Sequence, residues 1–327
     1  MNQTYLSETG LLAFSISITG PIFMVVLVGL LLKRLGVIQP QFIRPASDFV
    51  FKIGLPIILF LSIYRADLDN FSMGVPLLIA IPITLLLFVL SVPISRMFIL
   101  DKGDCGVFVQ GAFRGNMAVI GLAFCSNAYG EVGLATAAVP IALLTVLYNL
   151  LAVVALNPLE LSNMEPSNEH SPLKQMTINT LKNPLLIGIV LGFLMKFSGL
   201  PLPKLMEDTG NYFAQMTLPL ALLCIGASMD LKALKHSGIS TVVASIIKLV
   251  ISPLIMIVIA IWLGVRGMEL GILFFLAASP TAVASFIQVK AMGGNGEFAA
   301  NIVVMSTLLG IFTVTGGLLV LKAFAFI

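Results

Sequence analysis

Apolar residues along the chain fall into ten long runs separated by short polar interruptions. The first five cover 11–32, 45–64, 73–94, 104–125 and 131–156. A polar stretch at 157–180 follows, and then come 184–198, 210–229, 238–263, 267–291 and 298–325. A helix needs about 20 mostly apolar residues to cross the hydrocarbon core of a bilayer. The pattern therefore predicts ten transmembrane helices in two groups of five, of which the fourth, sixth and ninth are the weakest apolar runs.

The two groups resemble each other. A shift of 163 residues lays Pro21 on Pro184, Gly29 on Gly192, Lys33 on Lys196, Gly36 on Gly199 and Pro40 on Pro203. The same shift lays Leu55-Pro56 on Leu218-Pro219 and Asp67-Leu68 on Asp230-Leu231. Chance aligns apolar residues easily, but seldom prolines and glycines at helix ends, mid-helix prolines and an Asp-Leu exit together. A shift of 165 then lays 106–116 on 271–281. Five spans is an odd number, so the second copy enters from the opposite side, the inverted-topology repeat found in secondary transporters. The expected fold class is an all-α polytopic membrane protein. Its first five-helix repeat is expected at 1–157, a cytoplasmic linker at 158–180 and the inverted second repeat at 181–327.

Composition strengthens the membrane reading and removes other classes. Hydrophobic residues make up 58% of the 327 and charged residues 10%, whereas soluble domains carry about 25% charged residues. The net charge of +3 is spread along the chain without a basic block, so no nucleic-acid partner is expected. Cys105, Cys125 and Cys224 lie in apolar stretches without metal-like spacing, which indicates neither disulfides nor a metal site. With His170 and His236 alone, no hydrolase or metalloprotease motif and no phosphate loop, neither enzymatic activity nor a cofactor is expected. The first ten residues hold no Lys or Arg ahead of the first run, so that run is expected to stay as a span rather than serve as a cleaved signal.

Loop charge sets the expected orientation. With the N-terminus outside, eleven basic residues fall on the cytoplasmic side: Lys33, Arg34, Arg44, Lys52, Arg96, Lys102, Lys174, Lys182, Lys232, Lys235 and Lys290. Five fall outside: Arg65, Lys196, Lys204, Arg266 and Lys322. The imbalance places both termini outside a cell inner membrane.

Chemistry is expected where the spans are interrupted. In the fourth, Gly111, Gly115 and Gly121 surround Arg114 and Asn116; in the ninth, Ala278-Ser279-Pro280-Thr281-Ala282 breaks the run. Breaks at matching places of two repeats point to a midplane substrate site. A half-helix starting at a break presents N–H groups and a partial positive charge, which suits a carboxylate. Asn116, Ser279 and Thr281 add side-chain donors. The competing reading is that these small residues simply let helices pack closely.

Two cations fall inside spans. Arg114 either binds or gates an anion, or it snorkels to the cytoplasmic face or caps a helix end. Lys248, with no acid in its own span, either couples transport as a proton site or a stand-in for Na⁺, or ties itself to carbonyls. Pro56 and Pro219 are matched mid-span kinks, and Lys52 and Gln215, one turn before them, are candidates to face a cavity. Asn149 and Asn301 are expected to make interhelical hydrogen bonds, and Asp67, Asp69 and Asp230 to be solvated.

At several of these residues the chain resembles the auxin efflux carrier family, which includes plant PIN-formed carriers and bacterial malate and malonate permeases. The resemblance spans essentially all ten runs. It is carried by Phe49-Val50-Phe51-Lys52-Ile53-Gly54-Leu55-Pro56, by Arg114-Gly115-Asn116 with Gly121-Leu122, and by Asn183-Pro184-Leu185. Leu222-Leu223-Cys224-Ile225-Gly226-Ala227-Ser228-Met229-Asp230 and Ser279-Pro280-Thr281-Ala282-Val283-Ala284 complete it. The resemblance implies a fold like that of bile acid–sodium symporters, with a scaffold domain and a transport domain each built from both repeats. Broken helices 4 and 9 would cross in the transport domain, with the substrate carboxylate near Asn116. The chain departs from the family at Ala123, where many relatives have proline, at Lys52, often uncharged in relatives, and in its short central loop. Auxin itself is therefore not the expected substrate.

The combined expectation is a carrier of a small organic anion, a mono- or dicarboxylate such as malate or malonate, working by an elevator or rocking movement. The expected substrate-binding residues are Asn116, Gly115, Arg114, Ser279, Pro280 and Thr281, with Lys248, Lys52 and Gln215 as polar intramembrane residues and Pro56, Pro219 and Gly121 as hinges. H⁺ or Na⁺ is the expected coupling ion, and a lipid bilayer and a second copy of the chain are the expected partners. An anion channel on the same scaffold and a metabolite-binding membrane receptor are the alternatives.

Overall fold

The structure, a computed structural model, describes residues 8–66, 74–99, 101–160, 183–231 and 238–327. Every regular element among the described residues is helical. In chain order these are α1 (Glu8–Arg34), α2 (Pro40–Phe49), α3 (Leu55–Arg65), α4 (Gly74–Phe98), α5 (Lys102–Phe113) and α6 (Leu122–Glu160). There follow α7 (Pro184–Ser198), α8 (Lys204–Ser228), α9 (Ile239–Ile246), α10 (Ser252–Trp262), α11 (Gly267–Ala278), α12 (Val283–Ala291) and α13 (Gly296–Ala323).

Six helical stretches among the described residues are long and apolar enough to cross a membrane, with mean hydropathy from 1.8 to 2.7. They are Gly10–Arg34, Pro40–Arg65, Pro76–Phe98, Met117–Leu156, Ile239–Trp262 and Gly296–Ala323. Pro184–Ser198 and Gly267–Ala278 are apolar but shorter. The runs that read as weak in sequence thus appear as short or interrupted helices. The fourth run is α5 followed by the start of α6, the ninth is α11 followed by α12, and the sixth is α7. Of the predicted linker, 158–160 continue α6, and the rest lies outside the described residues together with Asp67, Asp69, His170, Lys174, Lys182, Lys232, Lys235 and His236.

Helix ends follow local chemistry. Asp101 caps α5 by accepting from the Gly103 N–H at 2.8 Å, and Asn183 caps α7 by accepting from Leu185 at 2.9 Å with Pro184 in the first turn. Gly199 closes α7 with a left-handed φ of 65°, a conformation glycine adopts without strain. The long α6 is two helical segments that meet at Gly130, where φ is 59° and ψ −143°.

Among the described residues three π-helical turns interrupt the α pattern, at Val50–Gly54, Met117–Gly121 and Ile247–Ile251. Two have a plain cause. Pro56 and Pro253 each stand at the second position of the helix that follows. A proline lacks the N–H and crowds the carbonyl four residues earlier, so the ladder slips by one residue just ahead of it, as in the Leu55 N–H bond to the Val50 carbonyl.

The helices gather into two bundles. In one, α1 packs on α8 and α3 packs on α7 and α8. Glycines bring these helices together: a Cβ at Gly29 would fall on the Leu223 backbone, and one at Gly226 on the Val26 carbonyl. Gly188 and Gly192 play the same part for α7 against Pro56, Phe60 and Ile63 of α3. Such close backbone approach is how helices associate where no hydrophobic effect drives them. The second bundle holds α4, α5, α6, α9, α10, α11, α12 and α13, and α1 and α3 touch it through α13 and α6.

Candidate functional site

The helix of α5 stops at Phe113, and Arg114 is extended, with φ −84° and ψ 101°. Helix resumes after Asn116 as the π turn Met117–Gly121. On the other side α11 stops at Ala278, and Pro280 holds the preceding Ser279 out of the helical region, at φ −59° and ψ 132°. The two interruptions lie antiparallel in the core of the second bundle, with Gly115 opposite Thr281. The Asn116 N–H donates to the Pro280 carbonyl at 2.7 Å, and the Ala282 N–H donates to the Arg114 carbonyl at 3.1 Å. Thr281 adds its hydroxyl to the Gly111 carbonyl at 2.8 Å, while its N–H donates to the Ser306 hydroxyl at 3.1 Å.

This pairing corrects one expectation. The N–H groups at the breaks do not all point into open space, because backbone left unpaired inside a membrane core is too costly. Those of Asn116, Thr281 and Ala282 are used in joining the two breaks and Ser306. The donors that open the half-helices are the N–H groups at 117–119 and 283–284. The Asn116 side chain completes the set: it is 6% exposed, makes no capping hydrogen bond, and has no other hydrogen bond among the described residues.

A third strand of chain reaches the same point. Lys248 sits in the π turn Ile247–Ile251, is fully buried, and donates from Nζ to the Ala277 carbonyl at 2.6 Å. A Cβ on Gly115 would stand 3.0 Å from Lys248 Nζ and 2.7 Å from the Ser279 hydroxyl. A methyl group at 115 would press on both side chains, which would have to give way. Arg114 is buried too and does not snorkel. Its guanidinium donates to the Gln288 side-chain oxygen and, at 2.7 Å, to Asn149 Oδ1. Gln110 Nε2 donates to the same Gln288 oxygen at 3.1 Å. Among the described residues neither cation has a carboxylate partner. Gln110 and Gln288 were not singled out in the sequence. The available signal was position, since each lies one to two helical turns from a break.

The other sequence candidates fall elsewhere. Lys52 lies on the outward face of its π turn, whose buried residues are Val50 and Gly54, and pairs with Asp48 at 3.1 Å; it does not face the crossing. Pro56 packs on α7 at Gly188, and Gly121 lies buried beside Leu276. Gln215 and Pro219 line a cavity of about 360 Å³ at the boundary between the bundles. Its walls come from α1, α3 and α8 on one side and from α6 on the other, starting at Ala123. None of 114–116 or 279–281 lines it, so the crossing is closed off from this chamber. At its rim Arg65 donates to Glu207 at 2.7 Å and to Asn211 at 2.8 Å, and Glu131 of α6 stands 4.0 Å away.

Known proteins give this arrangement its context. The membrane transport protein family matches residues 16–317. A putative malonate transporter of Rhizobium meliloti is 27% identical over 315 residues, covering 93% of this chain and 94% of that protein. An uncharacterised transporter of Methanothermobacter thermautotrophicus is 24% identical, covering 89% and 93%. Another, from Methanocaldococcus jannaschii, is 25% identical, covering 81% and 85%. The match runs from within α1 to within α13 and so takes in helices of both bundles, and it agrees with the resemblance to auxin efflux carriers carried by Arg114-Gly115-Asn116 and Ser279-Pro280-Thr281. The chain is a multi-pass membrane transporter and belongs to the membrane transport protein family.

Proposed function

We propose that the chain is a secondary carrier for a small organic anion, a mono- or dicarboxylate, bound at the crossing of the two broken helices. The observation that carries this reading is the crossing itself. Two matched breaks meet backbone to backbone, with the Asn116 side chain unpaired there, Lys248 against Gly115, and Arg114 held by Gln288 and Asn149, and among the described residues neither cation has a carboxylate partner. A buried positive charge compensated only by neutral oxygens is costly, and a transient carboxylate offsets that cost. The malonate assignment of the Rhizobium relative points the same way.

In this reading the chain crosses the membrane ten times as two inverted repeats, with both termini outside a cell inner membrane. The matched Gly29 and Gly192 support the repeat, since each lets a helix meet the backbone of its partner. The bundle of α1, α3, α7 and α8 acts as the scaffold and the other moves, which carries the crossing past the boundary where the cavity lies. A buried crossing that does not line the neighbouring chamber fits alternating access better than an open channel.

The test is uptake of labelled malonate, malate and a panel of monocarboxylates into proteoliposomes. Saturable uptake that Asn116→Ala reduces by about 2 kcal/mol of binding or more, roughly thirtyfold, with Asn116→Asp also impaired, supports the proposal. Linear, unsaturated flux assigns a channel, and binding without flux assigns a receptor. Uptake untouched by Asn116→Ala removes the crossing as the site.

A further inference from the structure

We infer that the half of the second bundle on the side where α5 begins holds a hydrated polar track ending at Lys248, through which that ammonium exchanges its proton with one side of the membrane alone. The inference rests on the reading of the crossing as the working centre of a carrier.

The track begins with a stripe on one helix. Thr241, Ser245 and Lys248 stand at spacings of four and three, hence on one face, and all are buried. That face packs against α5 and α13. Ser245 returns its hydroxyl to the Thr241 carbonyl at 2.8 Å, but the Thr241 hydroxyl has no partner. The neighbouring helices supply three more buried polar atoms without partners: Gln110 Oε1 on α5, Ser285 Oγ on α12 and Asn301 Oδ1 on α13. All four residues are at most 4% exposed.

Their positions converge. Gln110 is bonded to Gln288, which lies one turn along α12 from Ser285. Asn301 is next to Ile302, against which Gly111 packs. Each of the four lies between the crossing and the end of the bundle marked by Asp104 and Asn295, which share a hydrogen bond of 3.2 Å. Orphaned polar atoms in a dry interior are strongly disfavoured. A site with two to four polar partners is where buried water resides. Among the described residues the opposite half holds one such atom against four, Ser15 Oγ on α1, one turn from Thr19, whose hydroxyl meets that of Thr315 on α13 at 2.8 Å. That half is otherwise filled by Phe124, Phe274 and Phe275, with ring centroids 5.4 and 5.8 Å apart, and by the buried Val314 and Leu318.

The charges around Lys248 leave the track as its natural outlet. The elements packed on its π turn are α5, α9, α10, α11 and α13. Neither α9 nor α10 bears a charged residue. On α5 the charged residues are Lys102 and Asp104 in the first turn, with Arg114 just past its end at the crossing; on α11 there is Glu269 in the first turn; on α13 there are Glu297 and Lys322 at the two ends. Among the described residues no carboxylate stands beside the ammonium to take its proton directly, so the hydroxyl and amide groups toward Asp104 form the polar route out.

The experiment uses single cysteines in a chain with Cys105→Ser, Cys125→Ala and Cys224→Ala, reconstituted in vesicles of both orientations. A small charged methanethiosulfonate is applied from one side at a time. Thr241→Cys, Ser285→Cys, Asn301→Cys and Lys248→Cys are expected to react from the side where α5 begins, at least about tenfold faster than Val314→Cys and Leu318→Cys, which equals about 1.4 kcal/mol less opening cost. From the other side all six are expected to be inert. Equal rates at polar and apolar positions, or labelling of Lys248→Cys from the other side, would overturn the inference. Hydroxyl-radical footprinting of the unmodified protein covers the case of a variant that does not fold. Oxidation of Ile302 and Val109 with protection of the more reactive Phe124 and Phe275 is expected, and the reverse pattern overturns the inference. Neither readout uses a transported substrate, so failure to transport any carboxylate leaves this result standing, and a dry track leaves the carboxylate reading standing.

Discussion

Asn116 and Lys248 meet at one crossing and are held in opposite ways. The side-chain amide is left without a partner among the described residues, whereas the ammonium is locked onto the Ala277 carbonyl at 2.6 Å. Removing each therefore has a different signature. Asn116→Ala takes away no protein hydrogen bond, so its expected loss is in transport with an unchanged unfolding temperature. Lys248→Met removes a bond to a buried carbonyl, a change that costs about 1–3 kcal/mol, and a lowered unfolding temperature in detergent is the expected result. Lys248→Arg is expected to be no rescue, because Gly115 already lies against Nζ and leaves no room for a planar fork. At Lys52 the ion pair with Asp48 is exposed and worth no more than about 0.5 kcal/mol. Lys52→Ala is expected to change neither stability nor uptake, and a large effect on either would show that this face is covered in the membrane. In one dimension Lys52 and Lys248 look alike, each a lysine in an apolar run ahead of a proline. Which of them points inward depends on helix rotation, and rotation is set by neighbouring helices rather than by the run itself.

The breaks were legible at the level of elements because their cause is local. Pro280 cannot continue a ladder, and the Gly-rich 111–121 stretch tolerates extended backbone. The π turns ahead of Pro56 and Pro253 have the same local origin and could have been read from those prolines. The close contact of α1 with α8 is different, since nothing in either helix alone reveals its partner. It makes a clear prediction. Gly226→Ala and Gly29→Ala force methyl groups onto a facing backbone and are expected to destabilise the protein by about 1–3 kcal/mol. Gly316→Ala, with open space around it, is expected to be neutral or to stabilise by up to about 1 kcal/mol. Equilibrium unfolding in detergent compares the three directly, and equal effects would mean that helix propensity rather than packing governs these glycines.

At the scale of the whole molecule, the proposed carrier reading expects the two bundles, which meet at the chamber, to move against each other. A rigid bis-maleimide joining Arg65→Cys to Glu131→Cys spans the chamber rim from α3 to α6 and is expected to abolish transport. The same linker between Asp104→Cys and Asn295→Cys joins α5 to α13 within one bundle and is expected to leave transport intact. Loss in both cases would argue that the second bundle itself deforms. The amino-acid sequence alone determined the membrane environment, the ten apolar runs, the matched interruptions and the residue types that stand at them, because hydrophobicity, proline and glycine act through the nearest few residues. Tertiary structure decided what those residues do. It paired the two breaks backbone to backbone, brought Lys248 from a third element to within contact of Gly115, surrounded Arg114 with Gln288 and Asn149, and turned Lys52 outward. Each of these outcomes depends on groups more than thirty positions apart or on the rotation of a whole helix. Such relations arise only when every buried polar group must find its partner at once.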